Sequence, residues 1–275
     1  MNHSTSPLSP QQAERALHEF NSSLRNPLSS MFASLSSMAL QMEIEEIYSC
    51  QSHLSSLTQN CYKLLRSCTS ITEYSRYCNG LAVLNKRVVD IVEFTKNLLD
   101  SAALLTKGIG ASISYTLPQT EQFLSCDPEK LAVALLCILS NCCTYFEEQT
   151  TIHAFLEVKS NALQFRITDT GFGIAEDVMP HIFEPYYSHG KDEFALPGLG
   201  LGLPLAKMII SHHKGTMAVH SQPDNGTTVA FTLPLTEDEL DTQSLPLSTT
   251  PSSYITDRFS SLYVFLSNVI NPPKA

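Results

Sequence analysis

Residues 163–174 read LQFRITDTGFGI, and they decide how the second half of the chain folds. Leu163, Phe165 and Ile167 alternate with polar neighbours, the period of a half-buried strand. Parity sends Asp169 to the same side as those three, where an unpaired carboxylate is expensive. A bound group that donates hydrogen bonds relieves that cost, and the amino group of adenine is such a donor. Gly171 and Gly173 follow at once and let the backbone come close to a planar base.

Working outward, 111–117, 152–158, 216–221 and 227–233 are also β-rich or alternating and predict strands. Ser160-Asn161 and Asp224-Asn225-Gly226 supply hairpin turns. Asp127 predicts a helix cap with Pro128 at the first position, and that helix runs through Leu131, Leu135 and Leu139 to Tyr145. A further helix is predicted from about Pro204 to His213. Strands segregated from helices indicate an α/β sandwich with a mixed sheet. Two positions within it bear on chemistry. GLGLGLPLAK (198–207) places Gly198, Gly200 and Gly202 ahead of a helix, where free amides and the helix dipole suit phosphate. Asn141, within LLCILSNCCTYF (135–146), is either a magnesium ligand or a solvated or core-bonded asparagine. Glycine-rich turns are common, so neither glycine stretch is specific by itself.

The first half has a different period. Leu17, Phe20, Leu24, Leu28, Met31, Leu35, Met38 and Met42 recur at three and four, after a Ser9-Pro10-Gln11-Gln12 start signal. Cys50, Leu54, Leu57, Cys61, Leu64, Cys68, Ile71, Ser75 and Cys78 form a second heptad seam, with cysteine serving as a small hydrophobe. Two helices, roughly 10–47 and 50–78, then make a hairpin with one apolar face. A second copy covers that face at least cost, giving a four-helix bundle across a two-fold axis. The fold class is thus α+β, divided as a disordered leader (1–9), a dimerisation hairpin (10–80), the sandwich (81–235) and a polar linker with an amphipathic end (236–275). Ile255, Phe259, Leu262, Leu266 and Ile270 of that end would dock on the domain or on a partner.

Composition sets outer limits. The 275 residues are 43% apolar with net charge −10, which suits ordinary cores and disfavours a nucleic-acid or anionic-lipid surface. No apolar run is long enough to span a bilayer, and no secretory signal opens the sequence, so a cytoplasmic location is expected. The eight cysteines lack a CxxC pair and are expected as reduced thiols, with no zinc site.

Taken in order, these pieces resemble the histidine-kinase branch of the gyrase, heat-shock and mismatch-repair ATPase superfamily. CDPEKLAVALLCILSNCCTYF resembles the asparagine box, DTGFGI the first glycine box, and IFEPYYSHGK the phenylalanine box with its lid. GLGLGLPLAKMIISHHKG resembles the second glycine box, SQPDNGTTVAFTLP the glycine-threonine element, and SSLRNPLSSM the dimerisation-helix box. The resemblance covers roughly residues 10–235. It implies that Asp169, with Gly171, Gly173 and Thr227, holds adenine and that Asn141 holds Mg. It also implies that Gly198, Gly200, Leu201 and Gly202 wrap the phosphates of ATP and that Phe183 anchors the lid. Lys191, in the lid, is either a phosphate contact or a solvated lysine.

The departures limit what carries over. Where the family places its phosphoacceptor histidine this chain has Ser22, followed by Ser23 rather than an acid. Cys137 replaces the first asparagine of the asparagine box, Thr144 its basic residue, and Leu199 a small residue of the second glycine box. Each change removes a polar contact to metal or phosphate. Three functions remain open: a histidine kinase with a displaced acceptor that phosphorylates a response-regulator receiver, an ATP-binding pseudokinase or regulatory dimer, and an anti-sigma-type serine kinase. His18-Glu19-Phe20 repeats the missing pattern of histidine, acid and apolar residue one turn earlier, so His18 is the displaced-acceptor candidate, with a solvated helix-face histidine as its plain alternative. Input would come from a separate sensor protein or from the tail.

Overall fold

The computed structural model describes residues 44–144, 150–187, 199–235, most of 255–270 and scattered positions from 25 to 36, with only the backbone for most of 44–56. The chain divides into two compact units, residues 1–83 with 273–275, and residues 84–272. No helix among the described residues is long and apolar enough to cross a membrane.

The first unit centres on helix α1 (Ile44–Cys78). Heptad spacing starts this helix at 50, after a turn, whereas α1 continues back to Ile44. The stretch 44–50 holds no glycine or proline to stop a helix, and Glu45 and Glu46 suit a first turn. At its other end Gly80, at φ +67°, reverses the chain, and the Leu81 amide donates to the Arg76 carbonyl at 2.8 Å. Helical residues around Phe32 precede α1, and the Phe32 ring lies 4.6 Å from that of Tyr62, centroid to centroid. Cys61, Tyr62 and Leu65 are buried, while the seam positions Leu57 and Leu64 stay 48% and 55% exposed.

The second unit is a sheet covered by helices on one face. Five strands run in the order β2 (Ser112–Thr116), β4 (Thr151–Lys159), β5 (Ala162–Asp169), β7 (Thr227–Pro234) and β6 (Thr216–Ser221). Only β2 and β4 are parallel, so the sheet is mixed as expected. Ser160 and Asn161 both take positive φ in the β4–β5 turn, the two-residue geometry that matches strand twist. Inward residues Leu163, Phe165, Ile167, Val229, Phe231 and Leu233 are buried, with Phe165 and Phe231 stacked at 4.5 Å. The outer face carries Ser114, Thr116, His153, Arg166 and Thr168, which is why one layer of helices suffices.

Three elements here have no counterpart in the strands and helices expected from sequence. They are β1 (Arg87–Asp90), its partner β3 (Phe123–Cys126), and α2 (Ile91–Thr106). β1 is too short to show a period and passes straight into α2 without a breaker; Asp90 caps that helix by accepting from the Val92 amide at 3.0 Å. Next, α3 (Pro128–Thr144) is capped by Asp127, whose Oδ1 accepts from the Lys130 amide at 3.1 Å. α3 packs on β5, on α4 (Gly202–His212) and on the short α5 (Ser261–Leu266). Leu262–Leu266 and Ile270 are all buried, so of the two docking options left open for this segment the domain is the one observed.

A buried histidine joins the two helix ends. His213, closing α4, donates from Nδ1 to the Ile209 carbonyl at 2.8 Å and accepts the Asp127 amide at Nε2 at 3.0 Å. That pairing fixes a neutral ring, and burial lowers its pKa despite the nearby Asp127. The free Asp127 oxygen takes the Asn85 amide at 2.8 Å, so one carboxylate ties the start of the unit to α3.

Candidate nucleotide site

The site forms where β5 ends, β7 begins, α3 finishes and α4 starts. Asp169 is 5% exposed, and its Oδ1 accepts the amides of Gly171 at 2.9 Å and Thr227 at 3.2 Å. Backbone thereby occupies one carboxylate oxygen, which fixes the plane of the group, and the Cys142 thiol also hydrogen-bonds this carboxylate. The end of α3 lies close by. Burial first, then the Asp169 charge, push the Cys142 thiol well above its usual pKa and that of Cys143 up to about 12, so both stay protonated beside the carboxylate.

Backbone crowding explains the glycines around Asp169. Gly173 sits at φ +70° with the Gln222 carbonyl only 2.0 Å from where a Cβ would be. Gly226, at φ +72°, faces the Asp169 carbonyl at the same 2.0 Å. The turn between β6 and β7 is therefore pressed onto the Asp169 loop, and the Asp224 amide donates to the Phe172 carbonyl at 2.7 Å. Ser221, which opens the glycine-threonine stretch but is given no role by it, pins the same junction: its hydroxyl accepts the Ile174 amide at 2.8 Å and donates to the Gly226 carbonyl at 2.8 Å. Strand parity is the signal that points to it, because Met217, Val219 and Ser221 share the inner side of β6.

At the glycine-rich turn before α4, Gly200 takes φ +64° with the Tyr187 backbone 2.3 Å from its absent Cβ. Leu201 stands at the N-cap position of α4 and is buried (2% exposed). A Cβ on Gly202 would stand 3.6 Å from Asn141 Oδ1, which puts the half-buried Asn141 amide beside the first turn of α4. Phe183 receives the ammonium of Lys207, from α4, over its ring at 4.0 Å. Thr144 bonds its own helix, at the Ser140 carbonyl, 2.7 Å away, and Cys137 is fully buried. Neither offers the polar group the family box would carry. His18, Ser22, Lys191 and Gly198 lie outside the described residues.

Residues 126–237 match the family of histidine kinase-, DNA gyrase B- and HSP90-like ATPases. Over 231 residues the chain is 26% identical to the sensor protein kinase WalK of Staphylococcus aureus, covering 82% of this chain and 38% of that protein. It is 39% identical over 124 residues to the adaptive-response sensory kinase SasA of Nostoc sp., covering 45% of this chain and 31% of that one. The chain spans well under half the length of each of these relatives. Its fold matches full-length ShkA in complex with AMPPNP, with TM-score 0.64 and 22% identity over 82% of this chain and 46% of that one. It also matches the Acinetobacter baumannii histidine kinase AdeS, at TM-score 0.53 and 19% identity over 78% and 98%. Motif order, fold and relatives agree: residues 126–237 form an ATP-binding domain of the histidine kinase-, DNA gyrase B- and HSP90-like type, and the longer chain is similar to sensor histidine kinases.

Proposed function

We propose that this chain binds ATP with magnesium and acts as a dimeric histidine-kinase-type subunit in two-component signalling, with a response-regulator receiver as its downstream partner. The observation that carries it is the Asp169 carboxylate, buried and with one oxygen held by two backbone amides, so that its second oxygen would take the adenine amino group. Thr227, Gly171 and Gly173 complete the base end, and the backbone of Gly198, Gly200, Leu201 and Gly202 would receive the phosphates. Magnesium would be held by Asn141 together with phosphate oxygens; among the described residues no group of three His, Cys, Asp or Glu could cage a metal. Calorimetry of the full chain with Mg·ATP tests this. Asn141→Ala should weaken binding several-fold in magnesium while leaving magnesium-free adenosine binding unchanged, and absence of any adenine-nucleotide binding by the wild type would overturn the proposal.

Dimerisation is supported by Leu57 and Leu64, one heptad apart and both about half exposed on α1. Leu57→Asp with Leu64→Asp should turn a dimer into a monomer in light scattering. A wild type that is monomeric at micromolar concentration would overturn the dimer.

Cys137, Thr144 and Leu199 stand where the family carries an asparagine, a basic residue and a small residue, and they favour a second reading. Nucleotide is then bound but phosphoryl transfer is slow, since that reaction depends on positioning and charge compensation. Incubation with labelled ATP separates the two. A kinase using the displaced acceptor gives acid-labile, base-stable label that His18→Ala removes and Ser22→Ala keeps. Acid-stable label lost in Ser22→Ala would transfer the role to the serine, and no label in any variant selects the pseudokinase.

A further inference from the structure

The last rung on the inner face of the large sheet runs Ile152, Asp169, Thr227, Ser221 across β4, β5, β7 and β6. The rung below it, Ala154, Ile167, Val229 and Val219, is wholly apolar. On these two rungs of the four strands polarity is thus confined to three adjacent side chains at the edge of the proposed nucleotide site, and their protons can be counted.

A serine hydroxyl has one proton and two lone pairs. The Gly226 carbonyl can only accept, so the Ser221 proton goes there, over 2.8 Å. The Ile174 amide can only donate, and it fills one lone pair of Ser221, also at 2.8 Å. One contact remains, to Thr227 Oγ1 at 2.9 Å. Ser221 has no proton left to give, so Thr227 must donate to it. Thr227 Oγ1 can then offer only lone pairs to anything else, as can the Asp169 carboxylate directly across the strand pair.

We propose that Ser221 is a positioning residue that sets base specificity: by taking the Thr227 proton it makes the Asp169–Thr227 edge of the site acceptor-only. An acceptor-only edge matches the 6-amino group of adenine, a donor, and opposes the 6-oxo group of guanine. The inference rests on the reading that Asp169 faces the base. It assigns Ser221 no contact with nucleotide; the residue works through Thr227.

A staple that merely holds the turn would weaken all nucleotides alike, so the informative readout is the ratio of ATP to GTP affinity, measured by calorimetry on the full chain with magnesium. Ser221→Ala frees the Thr227 hydroxyl to rotate and donate, and the ratio should fall about tenfold, the scale of one misdirected hydrogen bond. Ser221→Thr keeps the hydroxyl and should keep the ratio. Thr227→Val, which leaves Ser221 in place, should lower the ratio by itself, and in that background Ser221→Ala should lower it no further. Equal losses for ATP and GTP, an unchanged ratio in Thr227→Val, or a further fall in the double variant would each overturn the proposal. Wild-type chain that binds no adenine nucleotide defeats the function proposed above, whereas wild type that binds ATP beside an unaltered ratio in Ser221→Ala defeats this inference alone.

Discussion

Asp169→Asn should remove measurable ATP binding while leaving the fold in place. The reason lies in which oxygen is already taken. Oδ1 accepts two backbone amides, from Gly171 and Thr227, so an asparagine must keep its carbonyl oxygen on that side. Its NH2 then takes the place of Oδ2, where it would meet the adenine amino group, donor against donor. One charge-assisted bond is lost and a donor is left unpaired, together about 3–5 kcal/mol, or roughly 10²–10³ or more in affinity. Thermal unfolding without ligand should move by only a few degrees, since both backbone bonds survive. A chain whose melting temperature still rises with ATP after this change would place the nucleotide elsewhere.

Gly226→Ala should be, with Gly173→Ala, among the most damaging single methyls in the second unit. At φ +72° any L-residue is strained, by about 1–2 kcal/mol. The new Cβ would also fall 2.0 Å from the Asp169 carbonyl oxygen and 2.9 Å from its carbon, both backbone atoms that cannot rotate away. Either the end of β5 or the β6–β7 turn must move, and both shape the site. A total loss of about 3 kcal/mol or more is expected, in the range seen when backbone strain and overpacking combine. Gly110→Ala is the matched control: its φ is +82° but nothing lies within 4 Å, so only the conformational part should appear. Urea midpoints of the two variants measure the difference. Similar midpoints would mean that the turn can yield without cost.

Individual residues show why some of this is readable from sequence and some is not. Alternation in Leu163–Ile167 is a local signal, and it carries Asp169 to the buried side with no further information. Glycines at 173, 200 and 226 stand out by composition, but their reasons (carbonyls of Gln222, Tyr187 and Asp169) come from segments distant in sequence. β1 and β3 stay hidden because four residues are too few to set a period, and α2 because no breaker separates it from β1. Heptad spacing misplaces the start of α1 because it marks a seam, not a terminus. Ser221 illustrates another limit. Serine beside a turn is common, and only register against Thr227 and Asp169 reveals which hydroxyl must donate.

The short helix Ser261–Leu266 also bears on the order in which the molecule can be built. It rests on α3, more than a hundred residues earlier in the chain, and buries five consecutive side chains there. Contacts of such separation close late, because a long loop must be ordered before they return anything. During synthesis the helix that carries Asn141 therefore emerges with one flank bare, and stays so until residues 261–270 have left the ribosome. A chain stopped near residue 237, where the family match ends, would keep that flank permanently open and present an apolar surface to chaperones or to other copies of itself.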